Sequence, residues 1–118
     1  MNEIKKLYEL AGIEPIVRDC AVGKGYYIEH SRIEEYLPFT AEKQLRILML
    51  LTKTGKLELE NWDYKGFNFT YIGNPSRKNN FIALTGETFE DGYCKLLNTL
   101  WQDLTETEQE EIRKILKG

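Results

Sequence analysis

Residues that do chemistry by coordination or covalent linkage are scarce in this chain. Its 118 residues hold two cysteines, Cys20 and Cys94, and one histidine, His30. The cysteines lie far apart in no C-x-x-C pair, so neither a zinc knuckle nor a disulfide framework is expected, and the thiols are expected to be reduced in a cytoplasmic setting. His30 has Glu34 at i+4, which makes two ligands where a structural zinc site wants four. A nucleophile site would need a serine or cysteine brought to His30 and a third group to orient it, and no local signature supplies one. Gly23-Lys24-Gly25 lacks the further glycine and the strand-to-helix setting of a phosphate-cradling loop. No catalytic, cofactor-binding or metal-ligating residue is therefore assigned, and an enzyme is not expected.

Long apolar runs are missing too. No stretch approaches the roughly 20 residues of a membrane span, and the opening MNEIKKLYEL is unlike a signal peptide. A basic excess is also absent: the formal net charge is -3 and the isoelectric point about 5.3, against the positive balance that draws polyanions to a general nucleic-acid binder. The length suits one domain, residues 1–118, able to fold alone or as a homo-oligomer.

What is present is patterned. Asn2 can cap a helix carrying Ile4, Leu7, Tyr8 and Ala11 on one face, stopped by Gly12 and Pro15. From Ile13 to His30 the glycines and prolines read as a connector with at most brief extended pieces. Ser31 and Glu34 form a capping-box pattern that predicts a short helix to Tyr36, ended by Pro38. Thr40 caps a longer helix, about 41–53, with Leu45, Ile47, Leu48, Met49, Leu50 and Leu51 as a broad apolar surface closed by Gly55. Three strands follow: KLELENW, GFNFTYI and FIAL, the first two alternating apolar with polar. Thr88 opens a helix to about 103 striped with Phe89, Tyr93, Leu96, Leu97, Leu100, Trp101 and Leu104. A complete T-x-x-E box, Thr105 to Glu108, starts the last helix, which buries Ile112, Ile115 and Leu116. The expected fold is α+β: a three-stranded antiparallel sheet in an α-β-β-β-α order over 34–104, flanked by the helices at 41–53 and 88–103. An N-terminal helix and connector (1–33) and a C-terminal helix (105–118) pack on the outside.

The run LPFTAEKQLRILMLLTKTGKLELENWDYKGFNFTYI, followed by ETFEDGYCKLLNTLW and an acidic capped helix, resembles the phage ABA sandwich domain of small phage and prophage proteins. The resemblance covers about residues 34–104. It implies a phage or prophage origin, hence the cytosol of a Gram-positive bacterial host, and it implies no reaction. The chain departs from that pattern at DGYCKLL, where Gly92 and Tyr93 stand at positions expected to be small and helix-favouring.

Residues 62–81, WDYKGFNFTYIGNPSRKNNF, gather six aromatic and three basic side chains. Period-two alternation puts Phe67, Phe69 and Tyr71 on one face, which is either core or a stacking platform. Burying each ring stabilises by about 1.5–3 kcal/mol, and an open patch would invite aggregation, so these rings are expected in the core. Trp62 and Tyr64, near the turn, are the candidate exposed aromatics; Lys65, Arg77 and Lys78 are the concentrated basic feature. A helix, three strands and a helix also resemble a double-stranded-RNA-binding domain, but that domain places lysines at the start of its last helix, where Glu87, Glu90 and Asp91 stand here. Residues 86–118 hold eight acids and four bases, a net of -4. Asp103, Glu106 and Glu110 mark that acidic end, which suits a basic protein surface. The expected role is non-enzymatic binding of a protein partner through Trp62, Tyr64, Lys65, Arg77, Lys78, Asp103, Glu106 and Glu110. The alternative is a nucleic-acid-binding accessory that uses the basic loop.

Overall fold

The computed structural model describes residues 3–24, 27–61, 66–73 and 80–118, with the backbone alone for 19–24, 27–33 and 61. The elements run α1 (Glu3–Leu10), β1 (Ile16–Lys24), β2 (Tyr27–Glu35), α2 (Ala41–Leu51), β3 (Lys56–Asn61), β4 (Phe67–Ile72), β5 (Phe81–Gly86), α3 (Phe89–Leu100), a 3-10 turn (Trp101–Asp103) and α4 (Glu106–Lys117). The fold is α+β, with β3-β4-β5 as an antiparallel three-stranded sheet.

Helix ends follow local chemistry. Gly12 adopts φ 73° just past α1. From there its N–H reaches Glu9 O at 3.0 Å, and the Ile13 N–H reaches Tyr8 O at 2.9 Å. This double closure needs a left-handed residue and so favours glycine. The hydroxyls of Thr40, Thr88 and Thr105 each accept from a backbone N–H three residues on. At Thr105 the box is reciprocal, because Glu108 Oε1 accepts the Thr105 N–H at 3.1 Å. Thr105→Ala removes one half of that box and is expected to cost about 1 kcal/mol, a fall in Tm of about 4 °C, checked by thermal unfolding followed by circular dichroism. Gly55 is not the C-cap of α2 that its position suggested. The Thr52 N–H and Oγ1 both donate to Leu48 O there, and Gly55 instead lies against the Tyr71 ring with no room for a side chain.

The sheet register pairs Leu57 with Tyr71, Leu59 with Phe69, Tyr71 with Ile82 and Phe69 with Leu84. Directly opposed residues share a face, so one apolar face forms. α3 covers it: Phe69 and Tyr71 are fully buried, and Phe69 meets Phe89 at 5.5 Å and Tyr93 at 6.4 Å between ring centroids. Phe69 and Tyr71 are core, as the alternation required, and Phe67, expected with them, is half-buried against Phe89.

A further expectation is corrected. The segment read as connector and short helix is a hairpin: β1 and β2 pair antiparallel through nine positions, from Ile16↔Glu35 to Lys24↔Tyr27. The Ser31–Glu34 capping pattern thus falls inside a strand. The terminal helices each bury one face, as their apolar stripes predict. α1 packs on α3 and α4 on α2, and Leu7, Tyr8, Ile112 and Leu116 are fully buried. Tyr8 ties α1 to the chain leaving β2, donating its hydroxyl to Leu37 O at 2.7 Å.

Candidate functional site

Among the described residues no group of three or more His, Cys, Asp and Glu side chains is placed to hold a metal ion. Cys94 is fully buried, and burial first, then the neighbouring Glu90, Asp91 and Glu3 carboxylates, push its thiol up to about 12. A thiol held protonated in this way is a packing residue and not a nucleophile.

One depression, of about 330 Å³, lies between the starts of α1 and α3, lined by Glu3, Ile4, Glu87, Thr88, Glu90 and Asp91. Partial burial raises the Asp91 carboxyl, but the hydrogen bond and charge of Lys95, 3.3 Å away, outweigh it and hold the group below its ordinary value. Carboxylates committed to an ion pair and to a helix start are explained by the fold.

The β1–β2 ribbon is different. At its base, Ile13 is buried and Tyr36 stacks on Tyr8 with centroids 5.3 Å apart. Beyond that anchor the two strands pack chiefly on each other. Nine residues at about 3.3 Å each make a ribbon about 30 Å long. The radius of gyration is 17.4 Å and the extents are 63 × 37 × 24 Å, against about 13 Å for a compact chain of this length. Ile16 and Val17 stand 48% and 45% exposed. The Arg18–Glu35 pair at 3.8 Å is solvent-washed on both sides and contributes little to holding the ribbon.

Of the residues expected to contact a partner, Trp62, Tyr64, Lys65, Arg77 and Lys78 lie outside the described residues. Asp103 sits half-buried in the 3-10 turn. Glu106 and Glu110 are exposed, one turn apart on α4, beside a depression of about 440 Å³ shared with Thr107, Glu111 and Lys114. Glu110 is paired with Arg113, which dilutes the acidic character of that end. The sequence reading missed the ribbon, and the signal that could have found it is the pair of apolar runs on either side of Gly23 and Gly25. Among the described residues no helix is long and apolar enough to cross a membrane.

No family model, curated protein or solved structure matches this chain.

Proposed function

We propose that the protein is a non-enzymatic binding module that engages a protein partner through the β1–β2 ribbon. The phage or prophage setting and bacterial cytosol are those that the sequence resemblance implies. The observation that carries the reading is a nine-pair hairpin anchored at its base, whose two strands pack chiefly on each other and whose described side chains at Ile16 and Val17 are exposed. An isolated two-stranded hairpin is marginally stable in water. As a two-stranded sheet it has free edges, which offer backbone donors and acceptors to an incoming strand. A protein strand meets that need, whereas a nucleic acid would be drawn chiefly by positive charge. Residues 16–35 carry three basic and four acidic side chains. Phe69 and Tyr71, buried under α3, present no platform for stacked bases.

The test is a photo-crosslinking residue at Val17, with Thr99 on the exposed side of α3 as control. Irradiation in cells carrying the native gene is expected to give a discrete protein adduct from position 17 and none from position 99. Identical adducts from both positions, or nucleic acid as the principal adduct, would remove the proposal.

A further inference from the structure

α2 has a second apolar side. Ile47, Leu50 and Leu51 face the core, whereas Leu45 and Met49 are 56% and 62% exposed. Among the described residues these are the only large apolar side chains on a helix left more than half exposed. At 100° per residue both lie within about 20° of the direction opposite Ile47. They are one turn apart and make a single outward ridge, with half-buried Leu48 at its side.

We propose that this ridge is the contact surface of a symmetric dimer, in which α2 lies antiparallel to α2 of a second copy about a twofold axis beside Ile47. The occupant is chosen by self-complementarity. With the axis at position 47, Leu45 of each copy meets Met49 of the other, so the apolar ridge covers itself. Glu42 lies about 7.5 Å from the axis along the helix and Lys53 about 9 Å on the other side of it. Both stand on the same flank of the ridge, so each Glu42 faces the Lys53 of the second copy. Lys53 continues the helical turn, its N–H reaching Leu50 O at 3.3 Å. Neither Glu42 nor Lys53 has an opposite charge within ion-pair distance among the described residues. A parallel twofold arrangement would carry Glu42 and Lys53 of the second copy to the opposite flank of the ridge and form neither pair. Contact through one 11-residue helix is small beside the interfaces of permanent dimers, so the association is weak and concentration-dependent. The ribbon stays free in this arrangement, and the dimer stands or falls independently of the ribbon's partner.

Sedimentation equilibrium from low micromolar to near-millimolar concentration tests it. The wild-type chain is expected to pass from monomer to dimer across that range. The double variant L45E/M49E, whose sites are exposed and so leave the fold intact, is expected to stay monomeric with an unchanged circular dichroism spectrum. E42K and K53E are each expected to weaken the dimer about tenfold, two facing pairs being lost at once. The combined E42K/K53E chain, with its charges exchanged, is expected to return to within about threefold of wild type. A wild-type chain monomeric throughout, a dimer that survives L45E/M49E, or a charge exchange that restores nothing overturns the proposal.

Discussion

Gly86→Ala is expected to destabilise the protein by about 3 kcal/mol or more, and Gly92→Ala to destabilise it although the same change on an exposed helix would stabilise by about 1 kcal/mol. The reason is the crossing of α3 over β5. A methyl on Gly86 would run into the Gly92 backbone and come to 3.0 Å from Thr88 O. All of these are main-chain atoms that cannot rotate away. A methyl on Gly92 would instead strike the Phe69 ring, whose Cδ2 would be 2.8 Å away. That ring is fully buried and wedged among Phe89 and Tyr93, so it has little room to yield, and overpacking of this kind costs about 1–3 kcal/mol. Urea unfolding measures both. Phe69→Leu should partly rescue Gly92→Ala, with a coupling above about 0.5 kcal/mol in the double-mutant cycle. A Gly92→Ala chain more stable than wild type would show that the helix does not approach the sheet this closely.

Alkaline pH should unfold the protein steeply. Burial, then the charges of Cys94 and Glu90, push the Tyr8 hydroxyl from 10.0 up to about 12. Burial, then Cys94, raises Tyr93 from its ordinary 10.0, and the Cys94 thiol moves from 9.0 to about 12. In each case the folded value lies above the unfolded one, so the neutral group contributes stability that is fully present below the unfolded pKa. That stability is lost as pH rises toward the folded value. Cys94 opens the window near pH 9.0 and the tyrosines join near 10.0. With three protons released on unfolding, the slope approaches about 4 kcal/mol per pH unit, enough to exhaust a stability of about 5–15 kcal/mol within a few units. The urea midpoint is expected to be level near neutrality, to begin falling above pH 9.0 and to collapse before about 12. Cys94→Ala should delete the first part of the fall and leave the tyrosine part. A midpoint that stays level throughout the alkaline range, or a profile that Cys94→Ala does not alter, would contradict the burial of these groups as ionisable acids.

The elements that were legible in the sequence have a core on one side. FNFTYI alternates because α3 covers one face of the sheet, and α4 announces itself by a reciprocal cap and a stripe of Ile112, Ile115 and Leu116. The ribbon was not legible for the complementary reason. A strand pair that packs chiefly on itself carries a weaker period-two constraint, so the Ser31–Glu34 pattern and the glycines around residue 24 read as helix start and connector. Gly92 looked out of place in a helix because propensity is a local quantity, whereas its role is set by the Phe69 ring and the Gly86 backbone on which the helix lies. On α2 the leucines and Met49 form one apolar run in the sequence. Only the packing against α4 and the sheet divides them into a core side and the outward ridge of Leu45 and Met49.

By itself the sequence determined the α+β class, the order of α1, α2, α3 and α4, the threonine N-caps of the last three, the antiparallel sheet and the burial of Phe69 and Tyr71. These depend on spacings of a few residues and on the free energy of removing rings from water. The tertiary structure decided that β1 and β2 stand as a ribbon, that Gly86 and Gly92 bring helix and strand together, and that α2 shows an apolar side to solvent. Each depends on which surfaces distant parts of the chain leave uncovered, a quantity that no local window of residues contains.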